Sequence, residues 1–125
     1  MQVRSSTRAY VLGHSELELQ RLERQGDIFA EETEATLRFA GLKPGDRVLD
    51  VGCGVGDVSL IAARIVGPTG VVLGIDRAEG ALDYARRRAE AIGYDWVSFE
   101  TDDLNDLDAR ETYDALTGRF ILMYL

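Results

Sequence analysis

Residues 48–59, VLDVGCGVGDVS, constrain this 125-residue chain more than any other stretch. Val48, Leu49 and Val51 form a short β-prone apolar run, and glycines follow at Gly52, Gly54 and Gly56. From Asp57 to Ala63 the spacing turns helical. Strand, glycine turn and helix in that order make a nucleotide-binding βα unit. The glycines admit positive φ and let a ligand approach the backbone. The helix aims free N–H groups and the positive end of its dipole at the turn. Spacing then separates the possible ligands. A dinucleotide fingerprint, G-x-G-x-x-G, requires glycine where this chain has Asp57. Here the order is G-x-G-x-G, with Asp50 two residues ahead of the first glycine. A carboxylate at the mouth of the turn repels pyrophosphate and suits a cation.

That pattern, D-V-G-C-G-V-G, resembles motif I of the class I S-adenosylmethionine-dependent methyltransferases. The ligand that the resemblance implies carries an ammonium and a sulfonium, which an acidic entrance accommodates. Asp50, Gly52, Cys53, Gly54 and Gly56 are then the turn residues expected at S-adenosyl-L-methionine. Cys53 is expected as a small filler there, because no His or Asn partner for a nucleophile lies nearby.

Asp76 closes the second apolar strand, twenty residues after Gly56, at the position and spacing of a carboxylate that accepts from ribose hydroxyls. Dehydrogenases share that spacing, so Asp76 points to an adenosine ligand without choosing the cofactor. A capping role at the next helix is the plainer alternative. The resemblance adds Arg77 beside it. It also implies that Thr101-Asp102-Asp103-Leu104 is the adenine motif, with Asp103 accepting from the amino group and Leu104 against the ring. Residues 113–120 resemble motif IV, which places Arg119 beside the methionine part of the cofactor. Tyr10 and the 22–25 stretch, Gln25 included, resemble the N-terminal cap that folds over the cofactor. Lone His14 is expected at a helix start rather than in catalysis.

The remaining chain fits an α/β fold. Ser15 followed by Glu18 is a capping box. The first helix is expected over 15–25, broken by Gly26-Asp27, and a second over 28–40, with Phe29, Thr33, Thr36, Leu37 and Ala40 on one face. Gly41 stops it. Strands are expected over 47–51, 71–76, 96–101 and 113–118, helices over 57–66 and 79–92, and an acidic loop over 102–108. Alternating strands and helices mean a parallel sheet, and right-handed crossovers would place helices on both faces. The expected architecture is therefore a Rossmann-like, doubly wound sheet with strands in the order 3-2-1-4. Residues 1–41 form an N-terminal helical cap or arm on the cofactor-binding part, 42–125. The family fold continues through three more strands. The apolar end 120–125 therefore reads as cut, with the fourth strand's outer edge open to self-association.

Fourteen basic against 22 acidic residues give a net charge of −8, which argues against non-specific nucleic-acid binding. The cluster Arg86-Arg87-Arg88, on a helix among acids, reads as a solvated face. One cysteine suits a reducing compartment. No apolar run approaches the roughly 18 residues of a membrane span, and a cytoplasmic protein is expected.

The expected function is methyl transfer from S-adenosylmethionine to a small-molecule acceptor, by in-line displacement that depends mostly on positioning. The pattern names no general base and calls for no metal. A non-catalytic S-adenosylmethionine-binding module and, with less support, an NAD-dependent enzyme remain as alternatives.

Overall fold

The computed structural model describes residues 15–101, 113–118 and 121–125. Five strands, β1 (Arg47–Val51), β2 (Val71–Asp76), β3 (Val97–Thr101), β4 (Ala115–Gly118) and β5 (Ile121–Tyr124), form one sheet in the order β3-β2-β1-β4-β5. The first four run parallel, in the order the sequence predicts. Side chains alternate between the two faces. Val48, Val72, Val97 and Phe99 join the main core, while Leu49, Leu73 and Ile75 form a separate cluster with Val51, Tyr113 and Leu116.

Helices α1 (Glu16–Ile28), α2 (Ala30–Phe39), α3 (Asp57–Val66) and α4 (Glu79–Ile92) complete the described part. α3 is the central one: Ser59 to Ala63, Ile65 and Val66 are all buried, leaving Arg64 to the surface. α2, α3 and α4 all contribute to the main core, so they lie on one face. The physical reason is directional. The steps β1 to β2 and β2 to β3 advance the same way along the sheet, so right-handed crossovers place α3 and α4 on the same side. The reversal comes between β3 and β4, through 102–112, which lies outside the described residues. That reversal makes β1 and β4 the topological switch point, where a crevice opens beyond the carboxyl ends of the strands.

Local signals set several boundaries. The Ser15 hydroxyl accepts from Glu18 N–H at 3.1 Å and starts α1. Gly93, at φ 90°, ends α4 in the left-handed conformation that favours glycine. Two expectations fail. Gly26 and Asp27 do not break the first helix, which continues to Ile28 and ends at Phe29. A Cβ on Gly26 would lie 2.3 Å from the Asp57 carboxylate, so this glycine serves close approach between α1 and the start of α3. The outer edge of β4 is not open either. β5 pairs with it antiparallel, Leu116 opposite Met123 and Thr117 opposite Leu122. The Tyr124 hydroxyl holds β5 in place, 2.5 Å from Gly41 O and 2.8 Å from Asp46 Oδ2.

The sheet is tightest where β2 passes the glycine turn. A Cβ on Gly74 would meet Phe99 Cδ1 at 2.7 Å and Cys53 Sγ at 2.9 Å. Gly74→Ala is therefore expected to cost about 1–3 kcal/mol through overpacking. A shift of the urea unfolding midpoint measures it, and an unchanged midpoint would show that the ring and thiol can retreat.

Candidate cofactor-binding site

The glycine turn is fastened to the end of β2. Gly52 and Cys53 N–H both donate to Ile75 O, at 2.8 and 3.0 Å. Gly54 N–H donates to Asp76 Oδ2 at 2.9 Å, and Ala78 N–H to Asp76 Oδ1 at 2.9 Å. Asp76 thus braces both the turn and the backbone just ahead of α4, whose N-cap is Ala78 and which has no side-chain cap. A ribose-binding role can coexist with this bracing, because a carboxylate has about four acceptor sites and the backbone takes two.

The three glycines divide by role. Gly52, Gly54 and Gly56 all have positive φ, 70°, 56° and 89°. A Cβ on Gly52 or Gly54 would meet nothing within 4 Å, so both face open space that only a missing side chain leaves free. A Cβ on Gly56 would stand 3.0 Å from Ala85 Cβ and 3.2 Å from Phe99. Gly56 therefore packs α3 against α4 and β3, away from the crevice. The Cys53 side chain fills space beside Gly74 and joins the main core, as a small filler would. Burial pushes its thiol well above the usual range, so it is not a poised thiolate.

Asp50 sits behind the turn, 2% exposed, opposite Gly74 in the sheet. Ser59 Oγ donates to its Oδ2 at 2.5 Å. Burial outweighs that hydrogen bond and raises the carboxyl to about 7, with Asp76 adding a smaller push.

Above the turn lies α1. Its Leu19 packs with Val55, Ala81 and Tyr84. Leu22, Gln25, Gly26 and Phe29 face Cys53, Gly54 and Val55 across a cavity of about 410 Å³. Gln25 thus lines the same cavity as the turn. Arg77 is exposed beside Asp76. Tyr10, His14, Asp103, Leu104 and Arg119 lie outside the described residues, as does the 102–108 loop. A second cavity of about 620 Å³ adjoins the first and shares Phe29, Thr33 and Val58 with it. It runs between the expected face of α2 and Thr117 and Leu122 of the sheet.

The arginine cluster is not the solvated face that its composition suggests. Only Arg87 fits that description, exposed and 3.1 Å from Glu16. Arg86 donates to Phe99 O at 2.6 and 3.1 Å. Arg88, 15% exposed, donates to Val55 O in the turn and to Asp57 Oδ1, each at 2.8 Å. Spacing along α4 carries no sign of this, because both partners of Arg88 lie more than thirty residues earlier.

Among the described residues no helix is long and apolar enough to cross a membrane, and no group of three or more His, Cys, Asp or Glu could hold a metal ion.

Residues 42–125 match the family model described as a methyltransferase domain. A demethylmenaquinone methyltransferase of Symbiobacterium thermophilum is 42% identical over 77 residues, which cover 60% of this chain and 31% of that protein. A 2-phytyl-1,4-naphtoquinone methyltransferase of Synechococcus elongatus is 40% identical over 85 residues, 65% of this chain and 36% of the other. The chain thus spans about a third of the length of these curated relatives. Among solved structures, an RNA methyltransferase from Salinibacter ruber in complex with S-adenosyl-L-homocysteine is similar, with a TM-score of 0.60 and 27% identity. That match covers 70% of this chain and 56% of that one.

The buried Asp50 has a consequence for stability. Its carboxyl titrates at about 7 in the fold and at about 4 in the unfolded chain. The folded state therefore keeps a proton that the unfolded state releases. Its contribution is complete below about pH 4, falls as pH rises through about 7, and is flat beyond. Asn at this position still accepts from Ser59 and carries no charge. Subtracting the stability of Asp50→Asn from that of wild type, by urea unfolding across this range, should give a difference that turns against wild type as pH rises. A difference independent of pH would mean that Asp50 is ionised throughout.

Proposed function

The chain belongs to the methyltransferase-domain family, and we propose that it holds S-adenosyl-L-methionine between the glycine turn and α1 as donor for methyl transfer to a small molecule. The observation that carries the reading is the open cradle over Gly52 and Gly54, with the Asp76 carboxylate at its rim. A nucleoside edge fits there: the lone pairs of Asp76 beyond its two backbone bonds accept from ribose hydroxyls. Asp50 lies behind the turn rather than at its mouth, and it adds negative charge toward an ammonium or sulfonium only as pH rises through about 7. Leu22 and Gln25 close the crevice from above. Arg77, and the undescribed Tyr10, Asp103, Leu104 and Arg119, complete the proposed contact set. Bound there, the sulfonium supplies an activated methyl group. The chain's own residues orient it and keep water away.

A small apolar acceptor is part of the proposal. The larger cavity is lined mainly by Phe29, Leu37, Ala40, Val58 and Leu122, and it shares a wall with the cofactor crevice. Relatives named for quinone substrates support the same choice. The net charge of −8 supports an acceptor other than nucleic acid. A cytoplasmic location belongs to the same proposal, supported by a lone, buried cysteine. An NAD-dependent enzyme is disfavoured by Asp57, which stands where the dinucleotide fingerprint requires its third glycine.

Calorimetric titration with S-adenosylhomocysteine tests this, with NAD expected to give no heat. Asp76→Ala should weaken binding by more than about 1 kcal/mol, as charge-assisted hydrogen bonds are lost. Asp76→Asn should fall between, because its NH2 group would face one of the two N–H donors that the carboxylate satisfies. Gly54→Val should abolish binding while leaving the circular dichroism spectrum unchanged, since its methyls would occupy the cradle. Wild-type affinity in that variant would remove the turn from the site.

A further inference from the structure

Resting on the cofactor reading above, we propose that Arg88 is a positioning residue that locks the glycine turn and the cap helix α1 into one unit over the crevice. Its Nη1 donates to both Val55 O and Asp57 Oδ1, and its Nε lies 3.4 Å from Glu23 Oε2 on α1. One guanidinium therefore touches three separate parts of the crevice wall: the turn, the first residue of α3, and the cap. Its planar fork of donors makes such a junction possible, where the point charge of a lysine does not.

Each partner is itself held. The peptide whose carbonyl Arg88 takes, Val55–Gly56, presents its N–H to Cys53 O at 2.9 Å. Its plane is therefore fixed at both ends, which sets the direction of the turn. Glu23 also accepts a hydrogen bond from Tyr84 Oη at 2.5 Å, so Tyr84 and Arg88 both reach the cap at this residue, while Arg87 reaches it at Glu16. Asp57 is half-buried beneath α1, where Gly26 leaves it just enough room.

The local charges set the effect of cutting the junction. Glu23, Asp57 and the neighbouring Asp27 are all acids, and Arg88 is the cation among them. Burial raises the Asp57 carboxyl, and the Arg88 hydrogen bond works against that rise. Without Arg88 the cap and the turn repel each other, and Val55 O loses its donor. Without the Glu23 charge the turn keeps its clamp and only the cap is released. The two cuts are therefore distinguishable.

The test uses Glu23→Gln and Arg88→Met, with Arg88→Lys as the conservative variant. Two readouts are needed: the dissociation rate of S-adenosylhomocysteine, and amide hydrogen exchange in the ligand-free protein. Glu23→Gln should speed dissociation about 1.5-fold to fivefold, the range of one partly exposed ion pair. Exchange should rise along α1 and stay unchanged along 52–57. Arg88→Met should accelerate dissociation further and raise exchange in both segments, with Arg88→Lys between. Unchanged dissociation and unchanged α1 exchange in Glu23→Gln would overturn the proposal, whether or not Arg88→Met folds. Wild-type protein that binds no S-adenosylhomocysteine would overturn the cofactor reading alone, since the exchange patterns decide the junction without ligand.

Discussion

The structure depends on how closely the glycine turn is bound to the end of β2. One carbonyl, Ile75 O, receives two consecutive N–H groups, and the next acid along the strand receives a third from Gly54. That fastening brings the carboxyl ends of β1 and β2 to one level. It requires a bare backbone at Gly74, where Phe99 and Cys53 press in from above, and at Gly56, where Phe99 and Ala85 do. The ring of Phe99 thus connects its own strand, β3, with β2 and the start of α3 through contacts that any side chain on those glycines would displace. Once the turn lies there, α3 begins at Asp57 and aims its N-terminus at the crevice. Asp50 is sealed behind it with Ser59 as partner.

Where the cause of a feature is local, the sequence displays it. The Ser15 cap, the left-handed Gly93 and the strand-glycine-helix signature each depend on neighbours within a few residues, and each is found where expected. The strand order of the first four strands is also legible, because the glycine signature carries a family resemblance and right-handed crossovers leave little choice. Where the cause is distant, the sequence is silent. Gly26 looks like a helix breaker, and its reason is a carboxylate on another helix, Asp57. Arg88 looks like one of three solvated arginines until Val55, Asp57 and Glu23 are seen to converge on it. The run Ile121–Tyr124 is visibly apolar and pairs with the strand just before it, but the contacts of its Tyr124 hydroxyl, with Gly41 and Asp46 83 and 78 residues back, leave no local sign.

In an acidic chain the simplest use of arginine is as a surface counter-charge. Two of these arginines serve the backbone instead. Arg86 satisfies Phe99 O at the β3 edge, and Arg88 satisfies Val55 O in the turn. In both cases the guanidinium also gathers carboxylates, Glu79 and Asp83 around Arg86, Asp57 and Glu23 around Arg88. The carboxylates hold each cation in place, and each cation directs a carbonyl. Part of the excess acidity thus acts inside the fold, as scaffolding for backbone geometry.

Phe29 joins α1 to α2, where it is the last residue of one cap and the first of the next. Its side chain also borders both cavities, together with Thr33 and Val58. The ring is 56% exposed, so it is a shared border rather than a sealed wall. Because it stands on the joint between α1 and α2, a change in the angle between these helices carries it past both cavities at once, and neither space is shaped by one helix alone.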